Sequence, residues 1–525
     1  MNQPVQELLR NATAALNTGA LRELHSLCQQ ILNIDDTQAD AWFFMSIVAE
    51  AGRQIGQSIG FIDRALALDK SNSEYLAQKA KCHTLLNQFE KAVAAADQAS
   101  ALHPRQAIVL DTLGVVYSKM GEHAKARSVL AESVEREPLN QQYQFNLASA
   151  EQFLGNESAA KQAYEAAIRI APDFARAHWA LSELEKNQTD TTRFEALKNL
   201  TSQAGLSVED ELYLCHALSR EYEKLGDFDN AFAYLKRGKQ RRKASIGYSA
   251  AQDASLFEAI RATFTQAKSP AAQSPGEQAI FILGMPRSGT TVVERIVAAH
   301  SQVVSLGELQ EFARAVKAVS GTDSPTVLDP EVIAAAAQVD PTEIGQLYLR
   351  MLGERIASEQ RFIDKMPLNF LCIGFILESL PGARIICLRR HPLDTCLSNY
   401  RQLFALNFSY YNYHYDLSDT AHFYVQFDRL MSHWKSLYGN RIHETSYEEL
   451  VADPETHVRS LLDYLDLPWQ AQCLEFHKSK EAVATASAMQ VRQPLYNSSI
   501  GRWRKYTQQL GPAIEILSAN GIDIS

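Results

Sequence analysis

No stretch of the 525 residues holds ~20 consecutive apolar side chains, so no membrane-spanning helix is expected. The opening residues, MNQPVQELLRNATAAL, carry no basic region followed by an apolar core. A secretory leader is therefore not expected, and the default location is the cytoplasm. Cysteine is sparse: Cys28, Cys82, Cys215, Cys372, Cys387, Cys396 and Cys473 are scattered, with no Cys-x-x-Cys spacing. An odd, dispersed set suits a reducing compartment and argues against a disulfide framework or a cysteine-ligated zinc site. A basic excess is also missing. Lys and Arg number 51 against 61 Asp and Glu, giving a net charge of −10. That excludes a general nucleic-acid binder, which needs a basic face, but leaves room for a local basic pocket. The histidines of the N-terminal half (His25, His83, His103, His123, His178, His216) do not recur at metal-ligand spacing, and no metal is expected.

Single cores rarely grow beyond ~250–300 residues, so a chain of this length should hold at least two folding units. The first shows an internal repeat. Pro104, Pro138 and Pro172 lie 34 residues apart (138 − 104 and 172 − 138), each near the end of a helical stretch. Ala92, Ala126 and Ala160 precede them at a constant offset. Small residues (Ala80, Gly114, Ala148) mark where two helices cross closely, and larger ones such as Leu110, Leu113 and Tyr117 fill the gaps. Proline follows each pair because it cannot continue a helix. The pattern resembles the tetratricopeptide repeat, with units near 5–38, 39–72, 73–106, 107–140 and 141–174, a further helix from Ala175, and another unit at Leu212–Lys239. Stacks of such units present an extended concave face, so binding of substrate or a protein partner, or self-association, is expected of this half.

From Gln278 onward the pattern changes to alternating strand and helix. Ala279–Gly284 is an apolar run that reads as a buried strand, and Arg384–Leu388 reads as a second core strand. Arg361–Asp364 and Ile442–Ser446 also read as strands, with helices at Thr290–His300, Asn369–Ser379, from Pro392, His422–Tyr438 and Pro454–Leu465. This order predicts a central parallel sheet flanked by helices, with ligands at the carboxyl ends of the strands. The expected organisation is an all-α repeat array over 1–245, a linker over 246–277, and an α/β domain over 278–525.

The strand Ala279–Gly284 runs into GMPRSGTT, Gly284–Thr291, which opens a helix. Backbone N–H groups and the positive helix end there face an anion. The glycine spacing fits the pattern G-x-x-x-x-G-K-[ST], but Thr290 stands at the lysine position and the cation is Arg287, inside the loop. A metal-assisted nucleotide phosphotransfer site needs that lysine. A sulfuryl donor, which carries less charge on the transferring group, fits better. The loop resembles the 5′-phosphosulfate loop of sulfotransferases, and the chain looks like a tetratricopeptide-repeat sulfotransferase whose C-terminal domain resembles tyrosylprotein sulfotransferases.

That resemblance implies a P-loop-like sulfotransferase fold and 3′-phosphoadenosine 5′-phosphosulfate (PAPS) as donor, held by Arg287, Ser288, Gly289, Thr290 and Thr291. Arg390 and Ser398 in LRRHPLDTCLS match the family's 3′-phosphate site, with Arg389 as the neighbouring candidate. Glu308 in Gly307-Glu308 matches the proposed catalytic base, and Lys365 in FIDKMP the lysine that stabilises the leaving oxygen. Ser487 matches a late serine near the bridging oxygen. Tyr447 and Arg502 match a tyrosine and a late cation that contact the nucleotide. His300 and His391 are rival bases by chemistry, but a helix end and a pre-proline turn suit structural roles. Glu311 stands where the family carries an arginine that reads acidic peptides. The acceptor is left open among a peptide or protein tyrosine, a carbohydrate and a small alcohol. The competing readings are a nucleotide-dependent phosphotransferase and a non-catalytic repeat scaffold.

Overall fold

The computed structural model describes residues 3–185, 190–267, 276–356, 360–406, 408–478 and 499–525. They divide into two compact units, Met1–Glu185 and Lys186–Ser525.

The first unit is all-helical: α1 (Gln3–Thr18), α2 (Leu21–Ile34), α3 (Ala39–Ala51), α4 (Ile55–Leu68), α5 (Ser73–Leu85), α6 (Phe89–Ala101), α7 (Ala107–Lys119), α8 (His123–Arg136), α9 (Gln141–Leu154), α10 (Glu157–Ile170) and α11 (Ala175–Leu184). The starts of α3, α5, α7, α9 and α11 keep the interval read from the prolines. Ala80, Ala92, Ala126, Ala148 and Ala160 are all fully buried, as the close helix crossings require. At Gly114 a Cβ would lie 2.3 Å from Leu130 Cγ, so only glycine fits that crossing. Polar links join successive pairs: Tyr117 Oη donates to Asp97 at 2.7 Å, and Asn146 Nδ2 to Asp111 at 2.8 Å.

The second unit begins with α12 (Thr191–Thr201), α13 (Val208–Lys224), α14 (Phe228–Ile246) and α15 (Ala250–Thr263). A five-stranded sheet follows, β1 (Ala279–Gly284), β2 (Val303–Ser305), β3 (Arg361–Asp364), β4 (Arg384–Arg389) and β5 (Ile442–Ser446), in the order β2-β3-β1-β4-β5. All four pairings are parallel. Its helices are α16 (Thr290–Ala298), α17 (Glu311–Ser320), α18 (Pro330–Ala336), α19 (Pro341–Leu352), α20 (Ile373–Ser379), α21 (Pro392–Arg401), α22 (Leu417–Tyr438), α23 (Tyr447–Ala452), α24 (Pro454–Tyr464) and α25 (Gly511–Ala519).

The central strands β1, β3 and β4 are buried on both faces. Phe281, Leu283, Ile385 and Cys387 point into one core, and Ile280, Ile282, Ile386 and Leu388 into the other. This alternation is what a helix-covered parallel sheet demands. Leu235, Phe257, Ile260 and Phe264 join the first of these cores. The compact unit therefore reaches back to residue 186, past the expected domain start at 278. Residues 246–277 include a helix that packs with the sheet, because its apolar side chains Phe257 and Ile260 have a core to enter. Among the described residues no helix is long and apolar enough to cross a membrane. All seven cysteines are buried and unpaired.

Candidate active site

The loop between β1 and α16 is shaped by glycines where no side chain fits. At Gly284, φ is 146° and a Cβ would meet the Leu388 carbonyl oxygen at 2.5 Å. At Gly289, φ is 106° and a Cβ would meet the Tyr447 ring at 2.6 Å. Arg287 itself takes a left-handed conformation, φ 67°. The loop is tied from the β4–α21 side. Arg390 Nη1 donates to the Arg287 carbonyl at 3.2 Å, and Asn399 Nδ2 to the Pro286 carbonyl at 2.7 Å. Ser288, Thr290 and Thr291 are buried at the helix start, and Gly289 caps α16. Ser288 Oγ and Arg390 Nε are buried with no hydrogen-bond partner. Two orphaned donors beside a helix N-terminus fit the oxygens of a bound anion.

Parallel pairing brings the ends of β2 and β3 to the same edge. The Lys365 amide donates to the Gly307 carbonyl at 2.9 Å, which sets Glu308 beside Lys365. Lys365 Nζ bonds Glu308 Oε1 at 2.5 Å and lies 3.5 Å from Glu294 Oε2. Ser305 Oγ donates to Glu294 Oε1 at 2.6 Å, so α16, β2 and β3 meet on one polar cluster. Lys365 is wholly buried, whereas the Glu308 side chain keeps 39% of its surface exposed. Burial by itself would lower the lysine's pKa, but the Glu294 and Glu308 carboxylates outweigh it and raise the pKa above the ordinary lysine value. The ammonium form is held across neutral pH. Just before it, Asp364 accepts from Tyr348 Oη at 2.9 Å and Asn369 Nδ2 at 3.2 Å, and burial pushes this carboxyl well up.

The two candidate arginines diverge. Arg389 pairs with Asp428 at 2.7 Å and Glu444 at 3.1 Å. Arg390 turns to the loop, bonds the Ser499 carbonyl at 2.5 Å, and sits over the Tyr447 ring at 5.2 Å. Tyr447 Oη lies 3.3 Å from Ser499 Oγ. Ser398 is half-buried on α21. Arg502 points to Glu223, with Nη2 3.6 Å from Oε2. Ser487 lies outside the described residues. His300 Nε2 meets the Pro468 carbonyl at 3.0 Å, and His391 caps α21 by accepting from the Leu393 amide at 3.2 Å. Glu311 is buried and paired with Arg355 at 3.0 Å, so its charge is neutralised within the fold.

Sequence reasoning passed over Glu294 and Glu223. Glu294 had a signal: a carboxylate in the apolar helix start TTVVERIV must find a buried cation. Glu223 had none, because it lies in a helix of repeat type far from the loop in sequence.

Comparison with known proteins places this fold among relatives. A model of the sulfotransferase family matches residues 279–471. A tetratricopeptide-repeat model matches 141–174 and 212–244. A protein of Aquifex aeolicus described as uncharacterized is 31% identical over 400 residues, 75% of this chain and 52% of its own. A protein-tyrosine sulfotransferase of Drosophila melanogaster is 24% identical over 234 residues, 43% of this chain and 46% of its own. A putative protein-tyrosine sulfotransferase of Caenorhabditis briggsae is 24% identical over 267 residues, 47% of this chain and 90% of its own. The chain thus spans about half the length of the first two relatives. Residues 279–471 belong to the sulfotransferase family, and the chain joins that domain to tetratricopeptide repeats.

Proposed function

We propose that the sheet unit transfers a sulfuryl group from PAPS to an acceptor hydroxyl, with a protein tyrosine as the first acceptor class to test. The observation that carries this reading is the Lys365–Glu308 pair at 2.5 Å, on the sheet edge served by an anion-binding loop that lacks the phosphotransferase lysine. The donor, when bound, supplies the sulfuryl group and departs as adenosine 3′,5′-bisphosphate. The Ser288 hydroxyl, the Gly289, Thr290 and Thr291 amides and the Arg287 side chain receive its 5′ end. Arg390, Ser398 and Tyr447 receive the 3′-phosphate end, and Arg502 approaches from the tail. Glu308, the exposed member of its pair, takes the proton from the acceptor oxygen as that oxygen bonds to sulfur. Lys365 donates to the oxygen that leaves, so positive charge is already in place where negative charge develops.

The relatives named as protein-tyrosine sulfotransferases support a tyrosine acceptor. Glu311, already paired with Arg355, offers no cation for an acidic peptide, so acidic flanking residues are not part of the proposal. The repeat array is proposed to bind the acceptor protein or a partner, since such stacks present extended faces. Transfer of labelled sulfate to tyrosine peptides and to carbohydrate hydroxyls tests the acceptor. Glu308→Ala should lower turnover about 10²–10⁴-fold while binding of adenosine 3′,5′-bisphosphate survives. Near-normal turnover in that variant would place the base elsewhere.

A further inference from the structure

Glu223 belongs to α13, ahead of the residues matched to the sulfotransferase family. Its carboxylate is nonetheless enclosed by groups from the donor side. Arg401 Nε donates to Oε1 at 2.5 Å, and its Nη2 bonds Oε2. Tyr506 Oη donates to Oε1. Arg220 Nη1 lies 3.3 Å and Arg502 Nη2 3.6 Å from Oε2. The Glu223 and Arg401 side chains are each only 8% exposed. Burial would raise the glutamate's pKa, but Arg401 and Arg220, with Arg502, hold it well below the usual carboxylate range. The charge is therefore permanent at working pH.

Arg401 ends α21, the helix that carries Ser398. Asp394, Ser398 and Arg401 stand at helical spacings of four and three residues, so they share one face of α21. The tail runs along that face. Arg390 holds Ser499, the Gly501 and Trp503 amides donate to Asp394 at 2.6 and 2.9 Å, and Tyr506 reaches Glu223. Two carboxylates thus fasten the tail at its two ends, with Ser398 between them. Around this strip Arg220, Arg390, Arg401 and Arg502 face Asp394 and Glu223, which leaves two positive charges. A phosphate monoester carries about −1.5 to −2.

We infer that Glu223 is a positioning residue for the 3′-phosphate end of the donor: it fixes α21 through Arg401 and the tail through Tyr506. A helix of the repeat-like pair thereby sets how well the enzyme tells a 3′-phosphorylated nucleotide from one without that group. This rests on the reading of Arg390 and Ser398 as a 3′-phosphate site. Arg401 is consumed by Glu223 rather than offered to the donor, while Arg502, with its side chain 40% exposed and its closest carboxylate at 3.6 Å, retains room to turn.

The test is calorimetric titration of the full chain with adenosine 3′,5′-bisphosphate and with adenosine 5′-monophosphate. The wild type should prefer the bisphosphate. Glu223→Gln should cut that preference at least about tenfold, the scale of breaking a buried charge pair, with monophosphate affinity held within about twofold. Tyr506→Phe, which keeps every charge, should cut it about threefold, within the range of one net hydrogen bond. Simple electrostatics predicts the opposite sign, because glutamine removes a negative charge and should strengthen phosphate binding. A preserved or increased preference in Glu223→Gln overturns the inference. If that variant does not fold, the decision passes to Tyr506→Phe, whose unchanged preference overturns it equally. No preference in the wild type would instead overturn the donor reading on which it rests.

Discussion

Two helical hairpins of this chain match the same repeat model, residues 141–174 and 212–244, and they do different work. In α9 and α10 the buried side chains are mostly alanines and aromatics, and polar partners lie close in sequence. Tyr164 Oη donates to Gln152 at 2.8 Å, and the buried Glu151 takes Arg127 at 2.9 Å. In α13 and α14 the buried set includes Glu211, His216, Glu221 and Lys239. Lys239 Nζ donates to the Gln402 and His414 carbonyls, each at 3.1 Å, and Glu223 binds Arg401. One hairpin propagates an array. The other, with the same backbone pattern, is built into the sheet unit. Small-residue periodicity specifies how two helices cross, and the charges on the remaining faces decide which body they join.

The sharpest way to break this comparison is truncation. A chain beginning at residue 186 should fold and bind nucleotide. One beginning at 246 should be insoluble or unfolded, because it strips Leu235 from the core and leaves Arg401 buried without its carboxylate. Circular dichroism and nucleotide titration of the two products check this. Equal folding of both would return α13 and α14 to the array.

A smaller effect is expected within the array. Gly114→Ala places a methyl 2.3 Å from Leu130 Cγ and should cost about 1–3 kcal/mol of unfolding free energy by denaturant titration. Nucleotide affinity should not change.

The smallest effect sharpens the electrostatic contrast. Burial pushes the Asp111 carboxyl up to about 6, whereas the arginines hold Glu223 down. A raised carboxyl favours the folded state below its unfolded value of ~3.9, and that contribution is lost as pH rises through about 6. Asp111→Asn should therefore raise Tm at pH 7.5, with the gain narrowing towards pH 5. The Glu223 contribution has the opposite sign. It is present above the ordinary glutamate value of ~4.3 and lost only as pH falls into the acid range.

Much of the fold was legible in the residues. β1 and β4 announce themselves as apolar runs, β3 and β5 as short segments in the strand–helix alternation, and the repeat interval as in-phase prolines and alanines. β2 was not legible: three residues, Val303–Ser305, are too few for a periodicity and are held by pairing with β3. Helices α17 to α19 went unread although Asp329-Pro330 and Asp340-Pro341 are start signals for α18 and α19, an N-cap carboxylate followed by proline in the first turn. The division at 185/186 was hidden for the reason already given, since α13 and α14 carry the repeat pattern while packing elsewhere. At the site, the loop was legible from its own glycine spacing, and Glu308, Lys365, Arg390 and Tyr447 were named through the resemblance to tyrosylprotein sulfotransferases. Glu223 and Asp394 could not, because their roles arise only when the tail lies along α21.

The central claim is that the loop after β1 and the arginine after β4 bind a nucleotide bearing a 3′-phosphate rather than a triphosphate. Calorimetry of the wild-type chain with adenosine 3′,5′-bisphosphate and with ATP measures it directly. Tight binding of the bisphosphate with little for ATP is the predicted result. Tight ATP binding with none for the bisphosphate would contradict the account.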